Sequence, residues 1–98
     1  MQIIAKRTLQ QFWESHPEAE VPLRIWYMRV NTAKWITPAD VKVMFGSTVD
    51  FVGDNRIIFD IGGNKFRLIV HVAYAYGRVL VKFVGTHKQY DAIDAETV

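Results

Sequence analysis

Four side chains that can transfer protons or bind anions fall within five consecutive positions near the end of this 98-residue chain. They are His87, Lys88, Tyr90 and Asp91, and Thr86 precedes them. A histidine and a tyrosine can exchange protons with a reacting oxygen, and a lysine can hold a phosphate. The segment could therefore serve acid–base chemistry on a phosphate ester. The same residues also fit an ordinary helix start, because threonine is a preferred N-cap.

A cation suited to that chemistry lies earlier in the chain. Arg67 falls within an alternating apolar run, which predicts a strand, and Asp60 falls within the preceding run. If the two runs pair as a hairpin, Asp60 faces Arg67 and holds its guanidinium in place for a phosphate. The alternative is a purely structural ion pair on the surface of a sheet.

Charge is distributed unevenly along the sequence. Residues 55–90 contain six basic side chains and one acidic one, whereas residues 1–54 balance six of each and residues 91–98 add three acids. A local excess of positive charge favours a polyanionic partner even when the net charge is only +2. Ordinary solvated lysines and arginines on a strand face are the alternative.

Composition sets the limits on fold and location. A chain of 98 residues, half of them hydrophobic, can bury one modest core, so we expect a single domain over residues 1–98. With no cysteine, disulfides and thiolate sites are excluded. No apolar run approaches the ~20 residues that span a bilayer, and no signal peptide is recognisable. We therefore expect a cytoplasmic protein with no membrane partner.

The first part of the chain predicts a strand followed by two helices. Residues 1–5 are a short apolar run, and Thr8 is expected to cap a helix that continues to Ser15. A second helix is expected near Pro22, with a buried stripe at helical spacing. That stripe is Leu23, Trp26, Tyr27, Val30 and Ala33. The two helices then form an antiparallel hairpin.

The second part predicts three antiparallel strands. Gly63-Asn64 and Tyr76-Gly77 are candidate two-residue turns, because glycine and asparagine accept a positive φ. The strands then cover residues 56–61, 65–75 and 78–86. Before them, Thr37 starts a short helix and residues 46–54 form a loop. A further short helix is expected over residues 88–95.

With both turns two residues long, one face of this sheet is apolar and accepts the two helices. The other face then has two rows of polar side chains across the strands. The rows are Asp60, Arg67 and Thr86, and Arg56, His71 and Lys82. The fold class is α+β: an N-terminal strand, a two-helix hairpin on a mainly antiparallel sheet with a three-stranded C-terminal meander, and a short C-terminal helix.

Two elements of this half resemble the HigB branch of the RelE-like toxins, the ribonuclease components of bacterial toxin–antitoxin modules. They are Gly62-Gly63-Asn64 with Arg67, and Thr86-His87 with Tyr90-Asp91. The order of one strand, two helices, a three-stranded meander and a short tail is also similar to that family, over essentially the whole chain.

The resemblance implies a metal-independent endoribonuclease, with no cofactor, that cleaves mRNA by attack of a ribose 2′-hydroxyl on the adjacent phosphorus. Arg67 and Lys65 would then bind the phosphate, and His87 would transfer a proton. Tyr90 would position the substrate or transfer a second proton. The basic surface provides further candidate RNA contacts, namely Lys88, Arg56, Lys82 and His71.

The resemblance also implies partners. They are mRNA, the ribosome at its decoding site, and a HigA-like helix-turn-helix antitoxin, with operator DNA reached only through the antitoxin complex. Two other classes of function remain open. One is a non-catalytic RNA-binding domain, and the other is a protein-interaction domain whose cationic surface binds an acidic segment.

Overall fold

The computed structural model describes residues 1–98. The chain contains four α-helices and a five-stranded sheet, which confirms the α+β class. The helices are α1 (Lys6–Ser15), α2 (Glu20–Thr32), α3 (Pro38–Phe45) and α4 (His87–Asp91). The strands are β1 (Gln2–Ile4), β2 (Val49–Val52), β3 (Arg56–Ile61), β4 (Phe66–Ala73) and β5 (Arg78–Thr86).

The strands lie in the order β1-β5-β4-β3-β2. Strand β1 runs parallel to β5, and every other neighbouring pair is antiparallel. The predicted N-terminal strand is therefore an edge strand of a mainly antiparallel sheet. No helix is both long enough and apolar enough to span a membrane.

One face of the sheet carries the main core, and α1, α2 and α3 cover it. Leu9 of α1 and Leu23 and Val30 of α2 are completely buried there, as is Val41 of α3. Burying apolar area of this kind stabilises the fold by about 25 cal/mol per Å². On the sheet side, this core comprises Val49, Ile57, Phe59, Ile61, Phe66, Leu68, Val70, Val72, Val79 and Val81. Of the stripe predicted for the second helix, Leu23, Trp26, Val30 and Ala33 belong to this core and Tyr27 packs against it partly buried.

The prediction of a loop over residues 46–54 is wrong for the middle of that range. Residues Val49–Val52 form β2, an edge strand that pairs antiparallel with β3. Asp54 and Asn55, both with positive φ, make the turn between the two strands. The meander therefore has four strands, because the β-branched and aromatic residues in this segment pair with β3.

The register of the β3–β4 hairpin is as predicted. Asp60 faces Arg67, and Arg56 faces His71. Gly62 and Gly63 form the turn, and both have a positive φ. Residues with a Cβ atom adopt a positive φ less easily than glycine does.

The register of the β4–β5 hairpin differs from the prediction. The turn is longer, because Tyr74–Tyr76 make a 3₁₀ turn and Gly77 adopts φ 62°. A bulge also interrupts the pairing between Ile69 and Val70. A bulge adds an unpaired residue and shifts the facing partners beyond it.

Both polar rows consequently change. Gly85, not Thr86, faces Arg67, and Leu80, not Lys82, faces His71. Lys82 lies at the bulge and is exposed. Val84 turns towards the helix-covered core instead of the opposite face.

Two helix boundaries also differ. Helix α1 starts at Lys6, after Ala5 in a left-handed conformation (φ 79°), so Thr8 lies inside it and does not cap it. Helix α4 is shorter than expected and starts one residue earlier. The cap of α3 is as predicted, since Asp40 Oδ2 accepts the N–H groups of Ile36 (2.8 Å) and Thr37 (3.0 Å).

The face of the sheet away from the main core is not open. Ile58 and Ile69 point to this face, yet they are 5% and 0% exposed. Helix α4 packs on β4 and β5, and residues 92–98 continue to the other end of the face, where Arg56 Nη1 donates to the oxygens of Ala95 and Val98. This C-terminal segment therefore covers part of the sheet face on which the two polar rows were predicted, including Arg56.

Candidate active site

Arg67 is held at the end of the sheet by strand pairing. Its cross-strand partner on β3 is Asp60, and Arg67 Nη1 lies 3.1 Å from Asp60 Oδ1. The side chains are only 14% and 25% exposed, so solvent screens this pair less than a surface pair. The same nitrogen is 3.4 Å from the carbonyl oxygen of Phe66. Since both contacts use Nη1, the other edge of the guanidinium keeps its donors for a ligand.

Tyr90 lies against the same guanidinium. The Cζ atom of Arg67 is 5.8 Å from the centre of the Tyr90 ring, within the range of a cation–π contact. The ring is half-buried on α4. The sheet and the C-terminal helix thus both contribute to the position of this arginine.

Helix α4 starts where β5 ends, and a reciprocal cap fixes that junction. The backbone N–H of Thr86 donates to Gln89 Oε1 (2.8 Å), and the Gln89 N–H donates to Thr86 Oγ1 (3.2 Å). Such a capping box defines the first turn of a helix. It therefore sets the direction in which His87 and Tyr90 leave the sheet.

Gly85 makes room for this cap beside Arg67. A Cβ atom at position 85 would lie 2.5 Å from the Phe83 ring and 2.9 Å from Gln89 Oε1. Neither Gly85 nor Gln89 was among the site residues predicted from the sequence. The pattern Thr-x-x-Gln could have identified the capping box, whereas the requirement for glycine depends on the bulge that brings Phe83 to this face.

His87 is the first residue of α4 and is half-buried. Its Nε2 atom is buried and has no hydrogen-bond partner within the chain. Residues three apart on a helix lie on the same side, so His87 and Tyr90 share a face of α4. An imidazole nitrogen without a partner keeps its capacity to accept or donate a proton.

Lys65 and Lys88 are the exposed cations nearest in sequence to this group. Lys65 lies in the turn just before β4, and Lys88 is the second residue of α4. Neither forms an ion pair. Both are free to bind phosphates near the end of the sheet.

Of the three other candidate RNA contacts, Arg56 and His71 face each other and Lys82 lies apart. Arg56 is 9% exposed, with Nη1 bonded to the C-terminal segment and Nε without a partner. His71 is half-buried opposite Arg56, and Lys82 lies apart at the bulge. The expected row fails because the C-terminal segment covers Arg56 and because the longer turn and the bulge shift β5.

Arg67 and the ring of Tyr90 are thus in contact at the end of the sheet, and His87 shares a face of α4 with Tyr90. No group of three or more histidine and carboxylate side chains is close enough together to hold a metal ion. The chemistry that these side chains can themselves supply is proton transfer and stabilisation of negative charge.

Comparison with known proteins places the chain in a family. Residues 19–93 match the HigB_toxin family, described as the RelE-like toxic component of a toxin–antitoxin system. The mRNA interferase HigB of Escherichia coli O6:H1 (strain CFT073) is 26% identical over 94 residues, which cover 95% of this chain and 91% of the relative. The mRNA interferase toxin HigB of Escherichia coli K12 is 26% identical over 96 residues, covering 97% and 92%. The family match extends over most of the chain and includes β3, β4, β5 and α4, so this protein belongs to the HigB family of RelE-like toxins, the toxic components of toxin–antitoxin systems.

Proposed function

We propose that the protein is an mRNA interferase, an endoribonuclease that inhibits translation by cutting mRNA. The proposal is carried by the surroundings of Arg67, which pairs with Asp60 and contacts the ring of Tyr90. His87 lies on the same face of α4 as Tyr90. The names of the relatives support it, because these proteins are described as mRNA interferases.

The proposed reaction needs no group from outside the chain and the RNA. The ribose 2′-oxygen attacks the adjacent phosphorus while its proton passes to a base, and the bond from phosphorus to the 5′-oxygen breaks. The leaving oxygen takes up a proton, and the products are a 2′,3′-cyclic phosphate and a 5′-hydroxyl. We therefore expect cleavage to be independent of metal ions.

Each step has a candidate among the residues described. Arg67 binds the phosphate and stabilises the charge that develops on its oxygens. His87, whose Nε2 is unpartnered, transfers a proton. The hydroxyl of Tyr90 transfers a second proton or positions the ribose. Lys65 and Lys88 bind neighbouring phosphates, which makes affinity dependent on salt.

The wider setting belongs to the same proposal. We expect cleavage in the ribosomal decoding site, in the cytoplasm, with the whole chain acting as one domain. A HigA-like helix-turn-helix antitoxin would neutralise the toxin and would connect it to operator DNA. Covering Arg67 and α4 would be sufficient for neutralisation.

Ribosomes programmed with a defined mRNA provide the test. The purified protein should generate new mRNA ends that carry a 5′-hydroxyl, in the presence of a chelator as well as without it. RNA that binds in a salt-dependent manner but stays intact would instead support a non-catalytic RNA-binding domain.

A further inference from the structure

A second group of residues suited to RNA lies at the other end of the sheet. Strands β4 and β5 carry Arg67 and Gly85 at one end and Ala73 and Arg78 at the other. With about 3.3 Å per residue, the six steps from Arg67 to Ala73 separate the two ends by roughly 20 Å. A group at the second end therefore cannot touch the reacting phosphate.

A cavity of about 310 Å³ opens at this second end, between the end of α2 and the turn that precedes β5. The residues that line it include Gln2, Asn31, Lys34, Trp35 and Gly77. Trp35 is 3% exposed, and its Nε1 has no hydrogen-bond partner. A volume of this size is at the lower end of those that hold small organic ligands.

An exposed aromatic ring lies beside the cavity. Tyr76 is 76% exposed and has no part in the core, whereas most residues of its size are substantially covered. The guanidinium of Arg78 lies 5.8 Å from the centre of its ring. The two residues flank Gly77, which lines the cavity and whose carbonyl oxygen accepts the N–H of Gln2 (2.7 Å).

The charge that remains available here is positive. Lys34 and Arg78 are exposed and form no ion pair. The nearby carboxylate is Asp40. Burial of the Tyr74 hydroxyl raises its pKa, and the negative charge of Asp40 raises it further. That carboxylate already accepts two backbone N–H groups in the cap of α3, so it is engaged and does not neutralise the two cations through a direct contact.

We propose that this end of the sheet is a second contact for single-stranded RNA, at which a base stacks on Tyr76 and phosphates lie beside Lys34 and Arg78. Single-strand sites combine such aromatic surfaces with cations, because every base offers a face for stacking. Gln2 and Asn31, which line the cavity, have amide side chains of the kind that bonds the edge of a base. The inference depends on the proposed function, since it concerns the same RNA away from the bond that is cut.

The test measures binding of a fluorescent, single-stranded 2′-O-methyl RNA of about twelve nucleotides, a length within the range of single-strand sites. Its blocked 2′-hydroxyls prevent cleavage. Tyr76→Ala should weaken binding roughly five- to hundredfold, as expected for the loss of one stacked base. Tyr76→Phe should retain wild-type affinity. Arg78→Gln and Lys34→Gln should each reduce the slope of log affinity against log salt by about 0.7.

Phe51→Ala is the matched control, because Phe51 is also an exposed aromatic residue (42%) but lies on β2 at the far edge of the sheet. It should bind RNA as the wild type does. The inference fails alone if the wild type cleaves mRNA while Tyr76→Ala binds the oligonucleotide with unchanged affinity, or if Phe51→Ala weakens binding equally. If the wild type neither cleaves nor binds RNA, the proposed function fails and this contact fails with it.

Discussion

The guanidinium carbon of Arg67 lies 5.8 Å from the centre of the Tyr90 ring. This contact joins a strand in the middle of the sheet to the C-terminal helix, and Asp60 fixes the arginine from the other side. Because His87 shares a face of the helix with Tyr90, a single junction, capped by Thr86 and Gln89, positions two of the three residues to which we assign chemistry. Substitutions that disturb this junction should therefore lower the rate of cleavage more than the affinity for RNA.

Asp60→Asn should lower kcat more than it changes KM. Without the carboxylate, Arg67 loses the partner that orients it, while one negative charge near the RNA also disappears. We also expect a loss of about 1–3 kcal/mol in the free energy of unfolding, because the largely buried guanidinium loses its opposite charge. Steady-state cleavage and denaturant titration measure the two effects.

Glu20→Gln is the control for that substitution. Glu20 pairs with Arg24 at 2.7 Å, but the side chains are 43% and 58% exposed. Solvent-exposed pairs contribute little, so activity and stability should stay close to those of the wild type. A kcat for Asp60→Asn equal to that of Glu20→Gln would mean that Asp60 does not orient Arg67 for catalysis.

Tyr90→Phe separates the ring of Tyr90 from its hydroxyl. Phenylalanine keeps an aromatic face towards Arg67, so RNA affinity should be retained, whereas cleavage should fall if the hydroxyl transfers a proton. Loss of an acid or base group typically costs 10²- to 10⁴-fold in rate. Single-turnover cleavage and binding of 2′-O-methyl RNA distinguish these effects. Full cleavage by Tyr90→Phe would restrict Tyr90 to positioning through its ring.

Arg56→Gln should release the C-terminal segment from the sheet. Nη1 of this buried arginine donates to the oxygens of Ala95 and Val98, and hydrogen bonds from charged groups contribute about 1.5–3 kcal/mol each. Limited proteolysis should then cut within residues 92–98 more rapidly than in the wild type. Arg7→Gln, which changes an exposed arginine of α1, should not alter the pattern. Equal cutting of wild type and Arg56→Gln would show that other contacts hold the segment.

Asp40 should make stability depend on pH. Hydrogen bonds from the backbone N–H groups of Ile36 and Thr37 lower the pKa of its carboxyl below 3.8. A lowered pKa in the folded state means that this stabilisation is present above the unfolded pKa and is lost as the pH falls through the folded value. Asp40→Ala should thus lower the denaturation midpoint at neutral pH, and the difference from wild type should shrink in strong acid.

Asp50→Ala provides the comparison for Asp40, because Asp50 is an exposed carboxylate of β2 with no side-chain hydrogen bond or ion pair. The denaturation midpoint of Asp50→Ala should equal that of the wild type at neutral pH and in strong acid. A difference for Asp40→Ala that stays constant from neutral to acid pH would contradict the role of the charge in the cap.

Much of the fold follows from local patterns. Alternation in residues 56–61 and 65–75 predicted which face of β3 and β4 the helices cover, and the Gly-Gly-Asn turn fixed the pairing of Asp60 with Arg67. Thr37 and Asp40 identified the start of α3, since the cap depends only on neighbouring residues. Helical spacing likewise predicted the three buried positions of α2, Leu23, Trp26 and Val30, whereas Tyr27 is half-buried and Ala33 lies just beyond the helix.

The features that were predicted wrongly depend on contacts between segments that are distant in the sequence. The bulge after Ile69 and the 3₁₀ turn before Gly77 shift β5, and nothing in the alternation of β5 alone reveals either. Strand β2 exists because β3 is available to pair with it. The predicted basic row failed because Arg56 is covered by residues that lie near the C-terminal end of the sequence. The pairing of Arg67 with Thr86 was therefore wrong, although α4 still brings Tyr90 to Arg67.

The most direct measurement of the central claim compares the wild type with Arg67→Ala on programmed ribosomes, by mapping the 5′ ends of the mRNA and testing them for a 5′-hydroxyl. Loss of a group that stabilises transition-state charge typically reduces the rate 10²- to 10³-fold. We predict new 5′-hydroxyl ends for the wild type and a reduction of that order for Arg67→Ala, with Lys42→Gln, an exposed cation of α3, remaining active. Cleavage by Arg67→Ala at the wild-type rate would contradict the account.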